Sequence, residues 1–289
     1  MDKLWATMKN TIRWQFTSRA WMTLLSSIRT AYSYSQDLNE SLNNIRIVTG
    51  QNADEMARFA ENANKAAAKL NTTTTEYADA SLIYFQQGLD DAEVERRTAV
   101  TIKLANAAGI PAEQASSQLT AIWNNFSDGS DNLERYADVL VKLGATTASS
   151  SEEISKGMQK FAAVANTVGL SYDYAASALA TIVAETRTSA EEVGTSLRTI
   201  FARFESLKLG ETLEDGVDLN KYTQALADVG VNVLDSNGQL RQMDDILDDI
   251  FKKWGELNQA QLNALATTVA GVRQYANFIA LFKNADTFY

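Results

Sequence analysis

The chain has 289 residues and a formal net charge of −10, with no cysteine, no histidine and a single proline, Pro111. Those absences exclude disulfides, thiolate metal ligands, thiol nucleophiles, the Ser-His-Asp and Cys-His catalytic sets and the common zinc sites. Carboxylates, lysines, tyrosines and hydroxyls are what remain for chemistry, while 45% apolar residues and about 5% Gly plus Pro, against about 12% in average usage, point to a helical protein with a substantial core.

The first 48 residues stand apart in charge, with six basic residues against three acidic ones, which leaves −13 for the remainder. They contain no glycine or proline, and Ala31, Ser35, Leu38, Leu42, Ile45 and Thr49 follow a 4-3-4-3-4 spacing that lines one stripe of a helix. This predicts a long amphipathic arm over residues 1–48. Its thin apolar stripe and three tryptophans, Trp5, Trp14 and Trp21, suit packing on the rest of the chain or on a second copy. No apolar run approaches the 18 or more residues of a membrane span, and the start lacks the basic tip, apolar block and cleavage site of a secretory signal.

From Asn52 onward, helix start signals recur, in which a short polar side chain accepts from an otherwise unpaired amide and a Glu or Gln three residues later bonds back. Asn52/Glu55, Asp90/Glu93, Ser149/Glu152, Ser150/Glu153, Thr188/Glu191, Ser189/Glu192 and Asn258/Gln261 all fit. The stretches between them predict helices near 53–69, 74–87, 91–108, 111–126, 131–143, 151–168, 171–186 and 190–208, a helical core over 49–209 with short links. Ile154, Met158, Phe161, Ala165 and Val168 form one apolar stripe, and Val193, Leu197, Ile200, Phe201, Phe204 and Leu207 another. A shift of 78 residues lays Ala112, Glu113, Leu119, Ile122, Trp123 and Phe126 over Ala190, Glu191, Leu197, Ile200, Phe201 and Phe204, as an internal duplication would.

A third section, 210–289, opens on a change of texture: Gly210, Gly216, Gly230 and Gly238 fall close together. The alternating Val231–Leu234 precedes Asp235-Ser236-Asn237-Gly238, so a small β-hairpin is expected over 231–241, its turn supplied by Asn-Gly. Two helices follow, near 243–254 and 259–283. In the second, Leu262, Leu265, Val269, Val272, Ala276 and Ile279 form a 3-4-3-4-3 packing seam. The expected fold is mainly α: a bundle or solenoid of antiparallel helices with an N-terminal helical arm and one small hairpin.

Motifs for chemistry are scarce. Asp244, Asp245, Asp248 and Asp249 crowd together, but an EF-hand register that puts Gly238 sixth would make Val233 the first ligand, so the cluster reads as a solvated helix face. No G-x-G-x-x-G, Walker or G-x-S-x-G motif occurs, and Ser155 and Lys156 are adjacent on a helix, which sends their side chains apart. An acidic body of −13 repels nucleic acid. No cofactor or metal is implied. A carboxylate pair for glycoside cleavage needs no fixed spacing, so a peptidoglycan hydrolase stays open as an alternative, as does a helical-repeat adaptor in the cytoplasm.

Several stretches resemble, as a set and in collinear order, the core region of phage tail tape measure proteins. They are LNESLNNIRIVTGQNADEMARFAENAN (38–64), TTTTEYADASLIYFQQGL (72–89), GLSYDYAASALATIVAETRTSAEEVGTSLRTIFARF (169–204), GETLEDG (210–216), VGVNVLDSNGQLRQMDDILDDIFKKW (229–254) and ALATTVAGVRQYANFIAL (264–281). The resemblance implies a non-enzymatic virion protein that lies in several copies in the tail tube lumen, after assembly in the host cytoplasm, and sets tail length. Its implied partners are further copies of itself, the tail-tube protein, the tail assembly chaperone and tail-tip proteins. Arg198, Arg203 and Arg273 sit in the most family-like stretches and are candidate contacts to neighbours, together with Leu262, Val269, Val272 and Ile279 of the seam; pairing of the arginines with acids such as Glu205 or Asp244 is the competing expectation. Even a continuous helix of this length would span only about 430 Å, so the resemblance also implies a section of a longer protein.

Overall fold

A computed structural model describes residues 33–126, 132–209 and 219–283. Among them the protein is all-α, with 13 helices and no strand. Two compact units divide near Thr98 and Ala99.

In the first unit, helix α1 (33–49) turns Leu38, Leu42, Ile45 and Thr49 of the expected stripe inward, with Ile45 fully buried, whereas Ser35 stands exposed and Ser41 takes an inward place outside the stripe. The described third of the arm is therefore part of the unit, tied to the next helices by a hydrogen bond from the Ser41 hydroxyl to Asp79. The expectations for residues 1–32 lie outside the described residues. Helices α2 (Ala53–Leu70) and α3 (Thr74–Gln86) each begin with a complete capping box, Asn52 with Glu55 and Thr73 with Glu76. Between them and the first half of α4 (Asp91–Ala108) lie Met56, Tyr77, Tyr84, Phe85 and Val94. The buried hydroxyls of Ser81 and Thr98 satisfy each other at 3.1 Å.

The second unit carries α5 (Ala112–Phe126), α6 (Leu133–Thr146), α7 (Ser151–Thr167), α8 (Tyr172–Thr186), α9 (Ala190–Leu209), α10 (Leu219–Ala227), α11 (Met243–Trp254), α12 (Gln259–Ala270) and α13 (Tyr275–Lys283). Helix α7 is its hub and packs on α5, α6, α8 and, most extensively, α9. Glycine makes that last contact possible: a Cβ on Gly194 would collide with the Gly157 carbonyl oxygen, and a Cβ on Gly157 would sit 2.7 Å from the Ala190 oxygen. The stripes read from sequence supply the rest, since Ile154, Met158, Phe161 and Ala165 meet Val193, Leu197, Ile200 and Phe201 in the core. A run of rings, Phe161, Phe201, Phe204 and Tyr222, carries that core from α7 through α9 into α10, with centroids 5.3 to 5.8 Å apart.

Helix starts recur at regular intervals. Helices α2, α4, α6 and α8 begin at residues 53, 91, 133 and 172, and α3, α5, α7 and α9 at 74, 112, 151 and 190. Side-chain bonds in the second unit join positions separated by about one such interval, among them Gln114 to Glu152, Ser155 to Gln118 and the Tyr172 hydroxyl to the Tyr136 carbonyl.

Two expectations for the last section are corrected. The hairpin shrinks to one isolated bridge between Leu234 and Leu240. Its turn forms as expected, held by Asp235 accepting from the Asn237 and Gln239 amides, and Val231 and Val233 alternate inward. Helix α11 starts at Met243, however, which leaves too few residues for a second strand. The continuous 259–283 helix is two helices: Gly271, at φ 79° and ψ 161°, ends α12, and a turn closed by the Gln274 amide on the Gly271 carbonyl precedes α13. Helix α10 is an addition that the glycine-rich texture after Gly210 did not suggest.

Candidate functional site

The residues singled out by sequence converge only in part, at the corner where α9, α12 and α13 meet. Arg203, half-buried on α9, donates to the Thr268 carbonyl at 3.4 Å, and its guanidinium lies under Gly271. A Cβ at position 271 would come within 2.5 Å of an Arg203 nitrogen, so both the positive φ and the close approach demand glycine there. The cation thus sits against the carbonyl end of α12, where the helix dipole favours it. Asn277 of α13 donates to the buried Ser196 hydroxyl of α9 at 2.8 Å and fixes the other side of the corner.

Around this anchor the seam residues part company. Val269 is fully buried and belongs to the fold, while Leu262 and Ile279 are half-buried. Val272, expected inside the seam, falls on the turn after Gly271 and is 76% exposed. It stands beside exposed Arg273 and, on the first residue of α13, Tyr275 at 43% exposure. The interior positions of α13 are instead Phe278, Ala280, Leu281 and Phe282, and Phe278 and Phe282 pack with Phe251 and Trp254 of α11. Arg198 is exposed on another side of α9, because five residues along a helix turn through about 140°.

Of the carboxylates proposed as arginine partners, Asp244 has another contact. Asp244 accepts the Ser171 amide at 3.0 Å at the start of α8, and the side chain of Glu205 lies outside the described residues. Its neighbours correct the reading of a solvated face: Asp248 accepts from the Tyr174 hydroxyl at 2.8 Å, and Asp249 binds Arg241 at 2.9 Å and Lys252 at 3.3 Å. Burial raises the Asp249 pKa, but the hydrogen bonds and charges of Arg241 and Lys252 outweigh it and hold the carboxyl below the usual range. Of the four, three are structural ties between α11 and its surroundings, a role that only the tertiary placement of Ser171, Tyr174 and Arg241 reveals. Ser155 is buried on Gln118, whereas Lys156 pairs with Glu152 at 2.6 Å, so the two are not a catalytic pair. Among the described residues no group of acidic side chains could hold a metal ion.

This corner fixes one half-buried cation, Arg203, and displays an apolar and basic turn. The model of the phage-related minor tail protein family matches residues 61–271, which takes in α9, α12 and the Gly271 break. The chain belongs to that family. A tape measure protein of Pneumococcus phage Dp-1 is 19% identical over 265 residues, covering 92% of this chain. The chain spans about a fifth of that relative, 22% of its length. No solved structure matches the chain. Like the sequence, the structure contains no helix, among the described residues, that is long and apolar enough to cross a membrane.

Proposed function

We propose that this minor tail family chain is the folded core of a tape measure protein, a helical module without catalytic activity that works in the tail tube lumen, supports tail-tube assembly and genome delivery, and contributes to setting tail length. The collinear likeness to a tape measure protein over 92% of the chain carries this reading. Two features of the fold support it. Helix starts recurring about every 40 residues suit a solenoid of antiparallel pairs, an architecture that extends by adding units and offers long lateral surfaces. The 78-residue overlay of sequence then corresponds to two such units.

Partners in this reading are further copies of the chain, the tail-tube protein, the tail assembly chaperone and tail-tip proteins. The surfaces we assign to them are the exposed turn Val272, Arg273 and Tyr275, flanked by Leu262 and Ile279, and, separately, Arg198 on another side of α9; Arg203 and Val269 hold that turn in place from below. An in-frame deletion of residues 99–283 in the phage that encodes the chain is expected to yield capsids with missing or shortened tails under the electron microscope. Tails of unchanged length and number in that mutant would refute the reading.

A further inference from the structure

The first unit holds a cleft of about 370 Å³ between α2, α3 and the start of α4, a size that accommodates one or two side chains. Its floor is aromatic. Phe59 and Phe85 meet edge to face at 5.6 Å, and Tyr77 and Val94 complete a surface that is buried yet open on one side. Its rim is acidic, with Glu55, Asp91 and Glu95 against the single cation Arg58. Glu55 uses one oxygen on the Asn52 amide and Asp91 accepts from the Gln51 amide nitrogen, whereas Glu95 stands exposed at the mouth.

The Gln51 contact decides which kind of group the cleft can bind. The Gln51 amide turns its nitrogen toward an Asp91 carboxyl oxygen, and that orientation leaves the buried Gln51 Oε1 without a partner. A buried acceptor in an acid-rimmed cleft calls for an N–H donor, and aromatic faces below it attract a cation. The field of the rim is also felt by Tyr77, whose hydroxyl is pushed up to about 12, first by burial and then by the charge of Glu95.

We propose that this cleft docks a segment of a partner polypeptide in which a lysine or arginine stands next to an aromatic or aliphatic side chain, the cation taken by Glu95, Asp91 and the Gln51 carbonyl and the apolar neighbour by Phe59 and Phe85. Charge complementarity and the aromatic floor select this occupant over a nucleic acid, which the rim repels, and over a free polyamine, which carries no bulky apolar group to bury beside its cation. The inference is independent of the tail-length role, since it concerns binding in solution.

The test is fluorescence anisotropy of a labelled short Lys/Phe peptide titrated with the full chain. Saturable binding is expected, weakened about tenfold or more by Glu95→Gln, which removes one charged contact, and by Asn62→Lys, which places a cation on the rim without touching the floor. Circular dichroism checks that each variant is folded. Glu113→Gln, an equal change of charge on α5, should leave the affinity unchanged. The proposal is overturned by absence of saturable binding, by equal loss in Glu113→Gln, by equal affinity for a Glu/Phe peptide, or by spermidine competing as well as the unlabelled peptide.

Discussion

At Gly194 the α7–α9 contact has no room for even one methyl group, because the space a Cβ would take is filled by the Gly157 carbonyl. Gly194→Ala is therefore expected to lower stability by about 1–3 kcal/mol, the usual cost of overpacking a filled core, measured by urea denaturation. Gly255 offers the control: it has ordinary negative φ and open space around it, so Gly255→Ala should be neutral or slightly stabilising. Asp249 supplies a pH test. Its pKa is lower in the folded chain than in the unfolded one, so its contribution to stability is present above the ordinary carboxylate range and is lost as the pH falls through the folded value. Asp249→Asn should flatten the loss of stability on acidification, with the difference from wild type shrinking below that range; equal acid sensitivity of the two proteins would contradict the assigned pairing. The Gly194 packing and the Arg241 pair are not visible in sequence, because Gly157 lies on another helix and Arg241 precedes α11; only the Lys252 pair, on the same helix as Asp249, follows a local spacing.

Helices are where sequence was most legible, because their start signals are local chemistry. Asn52/Glu55, Ser150/Glu153 and Asn258/Gln261 all form complete boxes. Asp90 and Ser189 cap from one side, accepting the amides of Glu93 and Glu192. Ser149 does something different: its hydroxyl bonds Thr147 and the Ala180 carbonyl, leaving the cap to Ser150. Ser150→Ala is expected to cost about 1 kcal/mol and Ser149→Ala to act through the α8 contact instead, two effects that should add in the double variant only if they are independent. Periodicity misled where it ran across a break. The 3-4-3-4-3 seam through Val272 holds only as far as Gly271, whose backbone conformation and Arg203 neighbour matter more than the pattern of apolar residues. Gly271→Ala should therefore destabilise the corner more than its single methyl group suggests, and Arg203→Gln should relieve part of that penalty by removing the crowded nitrogen; a cycle with no coupling between the two positions would show that they do not meet.

For the molecule as a whole, the family match over residues 61–271 takes in most of the regularly spaced helices. Glu76, Asp244 and Asp249 spend their carboxylates on a helix cap, a backbone amide and an ion pair, contacts that hold the helices in place. The collinear family stretches were legible in the sequence, but the exposed Val272–Tyr275 turn and the acid-rimmed cleft emerged only once the helices were packed. The central claim is that the chain is a structural part of the tail. Peptide mass spectrometry of tails purified from the phage that encodes it tests this most directly: the account predicts peptides from 33–283 in intact tails, in several copies per particle, and their absence from particles with normal tails would contradict it.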